Sequence, residues 1–181
     1  DADRMRVLAV IPARYGSTRF PGKPLARLQG KPIIQHTYER VAQATRIDET
    51  VVATDDQRVV DAVEAFGAQA VMTSHTAGSG TERVAEVART RSAQIVINVQ
   101  GDEPLVHPDM VDSLVDFLAR HKAVPMASLM WRITRCEDLV NPHVGKVVVD
   151  RDGLALSFAR APIPFTGQGT GGRGRAEANE P

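Results

Sequence analysis

The chain has 181 residues, 43% of them hydrophobic, and its 22 basic side chains balance 22 acidic ones. This size and composition are typical of a single globular domain, and a net charge of zero provides no overall field to attract nucleic acid or an anionic membrane. No apolar run approaches the ~20 residues of a membrane span, the first residues lack a secretory signal, and the one cysteine, Cys136, excludes an internal disulfide or a cysteine-cluster metal site. We therefore expect a cytoplasmic protein that binds neither nucleic acid nor membrane.

Short apolar runs alternate with helical patterns over the first two thirds of the chain. Pro32 and Pro108 suit the first turn of a helix, and Asp55 and Asp56 are natural N-caps for a helix that Gly67 would stop. The predicted strands are 6–11, 50–54, 70–72 and 95–99, and the predicted helices are 32–44, 57–66, 81–91 and one from 108 onward. This alternation predicts an α/β protein with a mostly parallel sheet covered by helices on both faces.

The pattern changes after residue 125. Apolar runs at 127–133, 146–149 and 154–158 predict strands, and Asp150–Gly153 has the composition of a turn between the last two. From Gly167 onward the only apolar side chains are alanines, too few to offset the ordering entropy. We therefore predict an α/β core at 1–125, a small mixed-sheet extension of the same domain at 126–165, and a flexible glycine-rich tail at 166–181.

A basic loop follows the first predicted strand. Between Arg4 and Tyr38 there are seven lysines and arginines and no acidic residue, although the whole chain is neutral. Arg14, Arg19 and Lys23 are suited to neutralising phosphate oxygens, and Gly16 and Gly22 let backbone N–H groups come close. A solvated basic surface is the alternative interpretation. The loop is neither a Walker A motif nor a Gly-x-Gly-x-x-Gly motif.

An acidic loop follows the fourth predicted strand, and a small-residue loop follows the third. In an open α/β sheet, ligands gather where the carboxyl ends of the strands meet. Asp102, just past a buried strand, is suited to help hold Mg²⁺ beside phosphates, since Mg²⁺ usually takes one or two carboxylates. A turn cap is the alternative role for this side chain. The three loops together predict a site for a nucleoside triphosphate with a divalent metal.

The motifs closely resemble those of the 3-deoxy-D-manno-octulosonate (Kdo) cytidylyltransferases, also called CMP-Kdo synthetases. The first motif is the run from Ile11 to Leu25, IPARYGSTRFPGKPL, and the resemblance covers nearly the whole of 7–164. Further blocks follow in the family's order: VATD at 52–55, SGTER at 79–83, NVQGDEP at 98–104, NP at 141–142 with KVV at 146–148, and RAPIP at 160–164. The resemblance implies a Rossmann-like nucleotidyltransferase fold.

The family resemblance also implies a reaction, CTP + Kdo → CMP-Kdo + diphosphate, which serves lipopolysaccharide biosynthesis and uses Mg²⁺. The anomeric hydroxyl of the sugar acid attacks the α-phosphate of CTP, and diphosphate leaves from the basic loop. By resemblance, Arg14, Lys23 and Asp102 are catalytic, Asp102 holds the metal, and Arg19 and Gln100 face the sugar acid. The nucleotide-binding residues implied by the resemblance are Ala13, Arg14, Ser17, Arg19, Lys23, Ser79, Gly80, Thr81 and Arg83.

The family pattern continues beyond the end of this sequence. Its later part carries further sugar contacts and a second metal-binding Asp, so we expect either a fragment or a truncated form. The resemblance implies a homodimer. Two alternatives stay open: a cytidylyltransferase for another sugar acid of the sialic-acid type, and a catalytically silent nucleotide-binding module.

Overall fold

The computed structural model describes residues 5–16 and 20–163. The chain divides between Leu129 and Met130 into two compact units. The first unit contains β1 (Val7–Ala13), β2 (Arg27–Leu28), β3 (Lys31–Pro32), α1 (Ile33–Val41), β4 (Glu49–Thr54), α2 (Gln57–Ala65), β5 (Gln69–Met72), α3 (Gly80–Ala88), β6 (Ile95–Asn98) and α4 (Pro108–Arg120).

The centre of the first unit is a four-stranded sheet in the order β5-β4-β1-β6. All three strand pairs are parallel, and Val10 of β1 lies opposite Val51 on one side and Asn98 on the other. The predicted parallel α/β fold is therefore confirmed. Because every strand runs the same way, the loops that follow β1, β4, β5 and β6 leave the sheet at one edge.

Helices cover both faces of this sheet, as the apolar pattern predicts. Alternate side chains of β1, such as Ala9 and Ile11, pack in one core cluster with α1, α2 and α4. The intervening Leu8 and Val10 pack on the other face with Val84 and Val87 of α3. The central strand β1 is buried along its whole length because helices cover both faces of the sheet, and this explains why its side chains are apolar on both faces.

The helix ends follow the predicted signals closely. The Asp56 side chain caps α2 by accepting from the Arg58 amide, and Gly67 adopts a left-handed φ of +82° just after the helix. Pro108 begins α4 as predicted. β6 was expected to be a buried strand, and this is confirmed for one face only, since Val96 and Asn98 are exposed at the edge of the described sheet.

The second unit is described from Met130 to Ile163 and contains α5 (Cys136–Val140), β7 (Lys146–Val149) and β8 (Ala155–Ala159). The predicted hairpin is confirmed, because β7 and β8 pair antiparallel around a turn in which Gly153 has a φ of +83°. The two strands form their own small sheet. The predicted boundaries at 125 and 165 stay a prediction, and the tail at 166–181 lies outside the described residues.

The predicted strand at 127–133 is wrong, because these residues have no regular secondary structure. Their large side chains are uncovered: Trp131 is 91% exposed and Met130 is 60% exposed. A β-branched or aromatic run becomes a strand only where it can pair with a neighbouring strand and pack against a covering layer.

Among the described helices, none is long and apolar enough to cross a membrane.

Candidate active site

A cavity of about 710 Å³ lies at the carboxyl edge of the parallel sheet, where the β1 and β6 loops meet the start of α3. Six of the predicted site residues line it: Ala13, Arg14, Lys23, Gly80, Gln100 and Asp102. Sequence reasoning missed Pro12, Phe20, Pro24 and Gly101, which also line it. The sheet therefore brings together the basic loop and the acidic loop, which are far apart in sequence.

The base of the basic loop is closed by a backbone contact. The Gly22 amide donates to the Tyr15 carbonyl at 2.8 Å, and Gly22 has a φ of +73°, a conformation that glycine adopts without strain. The guanidinium of Arg58 lies 3.4 Å from the centre of the Tyr15 ring, in cation–π geometry. Lys23, the residue after Gly22, begins a short 3-10 helix, so the backbone position from which its side chain extends is fixed. Ser17 and Arg19 lie outside the described residues.

Arg58 also connects this loop to the start of α2. Its guanidinium donates twice to the Asp56 carboxylate, at 2.8 and 2.6 Å. These hydrogen bonds hold the pKa of Asp56 below its usual range, against a smaller opposing effect of burial. Asp56 is therefore a cap and an anchor for Arg58, and Tyr15 packs on that anchored side chain.

The acidic loop is held against the end of β1. A methyl group on Gly101 would lie only 2.8 Å from the Pro12 carbonyl oxygen and 3.2 Å from Ile34 Cδ1, so the backbone passes where a larger residue does not fit. The buried Thr37 hydroxyl donates to the Gly101 carbonyl at 3.2 Å. This close packing fixes the backbone just before Asp102. Thr37 was missed at the sequence level because it resembles one more inward-facing residue of α1.

The two loops meet in an ion pair at the cavity. Lys23 Nζ donates to Asp102 Oδ2 at 2.5 Å, and the two side chains are 39% and 49% exposed. A flexible cation and a carboxylate thus share one wall of the cavity and stay accessible to solvent. An arriving phosphate would compete for the lysine, and an arriving cation would compete for the carboxylate.

The third part of the site is the N-terminus of α3. The Ser79 hydroxyl caps this nine-residue helix by accepting from the Glu82 amide at 3.1 Å, and Gly80 lies at the cavity. A methyl group on Gly80 would lie 3.3 Å from Pro12 Cγ and 3.5 Å from Gln100 Oε1. Helix N-termini attract anions because their first N–H groups point outward.

Three residues of the predicted nucleotide site do not line the cavity. Ser79 is the helix cap, and Thr81 lines a separate groove beside β6. Arg83 is fully buried, and its guanidinium contacts Asp55 and Thr73 instead. Their assignment as direct nucleotide contacts stays a prediction.

The residues present suit a metal ion that is shared with phosphates. Among the described residues, no group of three or more His, Cys, Asp or Glu side chains has the arrangement of a metal site. Within the part of the chain that the structure describes, Asp102 is the one residue that presents an accessible carboxylate at the cavity. One carboxylate with phosphate oxygens and water is a common environment for Mg²⁺, whereas a site made by protein alone needs more ligands.

The fold and the cavity together define a class: an α/β protein whose parallel sheet presents phosphate-compatible cations, a carboxylate and a helix N-terminus at one edge. The family model described as Cytidylyltransferase matches residues 8–171, nearly the whole chain. The chain belongs to the cytidylyltransferase family.

Named relatives lie within this family. The chain is 52% identical over 160 residues to a 3-deoxy-manno-octulosonate cytidylyltransferase of Geobacter metallireducens, with 88% of this chain and 63% of the relative covered. It is 50% identical over 169 residues to the protein of the same name from Thermodesulfovibrio yellowstonii, with 89% and 66% covered. The chain thus spans about two thirds of the length of these curated relatives.

A solved structure supports the same relationship. The structure of CMP:2-keto-3-deoxy-manno-octonic acid synthetase complexed with CTP superposes with a TM-score of 0.84 at 47% identity, covering 89% of this chain and 66% of that one. A cytidylyltransferase of Leptospira borgpetersenii superposes with a TM-score of 0.56 at 27% identity, covering 62% of this chain and 48% of that one. The predicted fold class and family are confirmed.

Proposed function

We propose that this chain takes part in activating Kdo, by the reaction CTP + Kdo → CMP-Kdo + diphosphate, in lipopolysaccharide biosynthesis. The names of its relatives, and the CTP complex of one of them, support the substrate pair. The observation that carries the proposal is the contact between Lys23 and Asp102 at the cavity. In this contact the Lys23 ammonium, which can bind phosphate, lies beside the Asp102 carboxylate, which can bind a cation. Transfer of a nucleotidyl group requires both kinds of side chain.

The proposed chemistry forms one bond and breaks one. The anomeric oxygen of the sugar acid bonds to the α-phosphorus of CTP, and the bond from that phosphorus to the bridging oxygen of the diphosphate breaks. Lys23 and Arg14 line the cavity and would neutralise negative charge that moves onto the diphosphate. Gly80, the first residue of α3, lines the same cavity, and the amides of this helix N-terminus would add to the stabilisation.

Asp102 is the residue that would hold Mg²⁺ together with the phosphates. When bound, the metal supplies charge neutralisation and fixes the orientation of the phosphate oxygens. Where Lys23 leaves the Asp102 carboxylate to the metal, the phosphates would provide its new partner. The contact between the two side chains is exposed, so its loss costs only about 0–1 kcal/mol.

The remaining assignments rest on the family resemblance and on placement. Gln100 lines the cavity next to Gly80 and would contact the sugar acid, as would Arg19. Ser17, Ser79 and Thr81 belong to the proposed nucleotide-binding segments. The homodimer and the cytoplasmic location belong to the same proposal.

The proposal is tested by two measurements on the same protein. Calorimetry with CTP and Mg²⁺ measures binding, and release of diphosphate on adding Kdo measures turnover. Binding with turnover supports the proposal. Turnover with a sialic acid in place of Kdo would identify the alternative sugar-acid enzyme, and binding without turnover on any sugar acid would identify the silent nucleotide-binding module.

The site assignment has its own test. Arg14→Ala should weaken CTP binding, because it removes an exposed cation from the cavity. Arg89→Ala is the matched control, since Arg89 is also exposed but follows α3 at the end remote from Gly80. Equal CTP affinity in the two variants would refute the placement of the phosphates at Arg14.

A further inference from the structure

The most unusual side chain near the cavity is Arg83, whose guanidinium is entirely buried. Its Nη2 donates to Asp55 Oδ2 at 2.7 Å, and this carboxylate follows directly after β4. Its Nη1 donates to the Thr73 hydroxyl and to the Ser74 carbonyl, just after β5. One side chain of α3 therefore joins the ends of two strands.

This arrangement is costly for the protein. Arg83 Nε has no hydrogen-bond partner among the residues that the structure describes. An unsatisfied buried donor is unfavourable, and an apolar side chain of similar volume often stabilises such a position as well as a buried ion pair does. Stability alone is therefore a poor explanation for an arginine here, and a geometric role explains the cost better.

Two further side chains of α3 hold the same loop, which runs from Thr73 to Ser79. The Glu86 carboxylate accepts from the Ser74 amide at 2.9 and 3.1 Å. The Glu82 carboxylate accepts from the Gly78 amide at 2.6 Å. Arg83 differs from both because it alone also reaches the end of β4, through Asp55. The loop is thus tied to the helix, and Arg83 ties helix and loop together to the sheet.

These contacts hold the N-terminus of α3, which is the part of the helix that meets the cavity. Ser79 caps the helix, and the next residue, Gly80, approaches Pro12 and Gln100 so closely that an added methyl group would be in tight contact. A small shift of α3 along its axis would either close this gap or withdraw the helix amides from the cavity.

We propose that Arg83 is a positioning residue. Through its buried contacts with Asp55 and Thr73 it fixes the position of the α3 N-terminus, along the helix axis, relative to the cavity. The inference rests on the proposed function, because it assigns the helix amides at Gly80 to the bound triphosphate. It replaces direct contact with the nucleotide as the role of Arg83.

The test compares Arg83→Lys and Asp55→Asn with Val87→Ala. Lysine keeps the charge but cannot span Asp55 and Thr73 together, and asparagine keeps the shape of Asp55 but removes its charge. Val87 is buried on the same helix one turn further on, so its truncation lowers stability without touching the loop. Each protein is measured for its urea midpoint, for CTP affinity with Mg²⁺, and for amide exchange over 73–82.

Arg83→Lys and Asp55→Asn should each weaken CTP binding by about tenfold, a loss typical of residues that orient the groups contacting a ligand, and should speed exchange over 73–82. Val87→Ala should lower the urea midpoint with CTP affinity unchanged. If Arg83→Lys does not fold, Asp55→Asn gives the same comparison. CTP affinity equal to that of Val87→Ala would overturn the proposal. If the unmodified protein binds no CTP, the proposed function fails, and the exchange data alone then decide whether Arg83 holds the loop.

Discussion

Gly101 offers the sharpest test of how the site is built. Its backbone passes between the end of β1 and α1, and a methyl group there would lie 2.8 Å from the Pro12 carbonyl oxygen. That is about 0.6 Å short of ordinary van der Waals contact, which begins at 3.4 Å. The obstructing atom belongs to the main chain of the central strand, so it cannot rotate away. Gly101→Ala must therefore displace the loop that carries Asp102.

The size of the effect follows from two opposing contributions. Forcing an extra methyl group into a packed position typically costs about 1–3 kcal/mol. Replacing glycine by alanine also restricts the unfolded chain, which favours folding by about 0.4–1 kcal/mol where the backbone conformation is compatible. We therefore expect Gly101→Ala to lower the free energy of unfolding by about 1–2 kcal/mol.

The assay pairs urea unfolding with metal binding. Gly145→Ala is the matched control, because nothing lies within 4 Å of a methyl group at that glycine and its φ is not left-handed. The control should be stabilised by the unfolded-state effect alone. In the presence of CTP, Mn²⁺ affinity measured by electron paramagnetic resonance should fall for Gly101→Ala and stay constant for Gly145→Ala. Equal stability and equal Mn²⁺ affinity in both variants would refute the claim that close packing positions Asp102.

Three further predictions follow from single contacts. Lys23→Gln should weaken CTP binding in calorimetry while urea stability changes by less than about 1 kcal/mol, and Lys31→Gln, which breaks an ion pair of similar exposure away from the cavity, should leave CTP affinity constant. Ser79→Ala should lower the free energy of unfolding by ~1 kcal/mol in urea because it removes the cap of α3, and Ser79→Asp should not. Burial acts to raise the pKa of Asp112, but three hydrogen bonds from the neighbouring loop outweigh it and hold this pKa below the ordinary value of ~3.9. Stability from this carboxylate is therefore present above that ordinary value and is lost as pH falls through the lower folded pKa, so Asp112→Asn should flatten the acid limb of a stability–pH curve.

The parts of the fold that follow from local chemistry were predictable. The buried run of β1 and the Asp56 cap of α2 depend on side chains that are adjacent in sequence, and both are confirmed. The run at 127–133 has the composition of a strand, but composition does not supply a neighbouring strand. Without a paired strand this run has no regular secondary structure, and its Trp131 is exposed.

The candidate site shows the same limit. Lys23 and Asp102 were predictable as a pair because loops after parallel strands share one edge of a sheet. Arg83 was not predictable as a buried residue, because its burial depends on an acceptor 28 positions earlier in the chain. Thr37 was missed because a hydroxyl in the inner stripe of a helix has no distinct sequence pattern until its partner, Gly101, is known.

The order of the strands separates the exposed charged residues at the cavity from the buried residues that hold α3 in place. β1 and β6 are neighbours, and their loops bring the opposite charges of Lys23 and Asp102 to the exposed wall of the cavity. β4 and β5 lie on the other side of β1, and their loops supply the buried anchors of Arg83. Exposed charges contribute little to stability, whereas breaking a buried ion pair is costly. Changes in the exposed charged side chains of the first pair of loops should therefore alter ligand binding at nearly constant stability, whereas changes in the buried anchors of the second pair should alter both together. A neutral chain can in this way carry a strongly polar site without weakening its fold, because the residues that meet the ligand are not the ones that hold the sheet and helix in place.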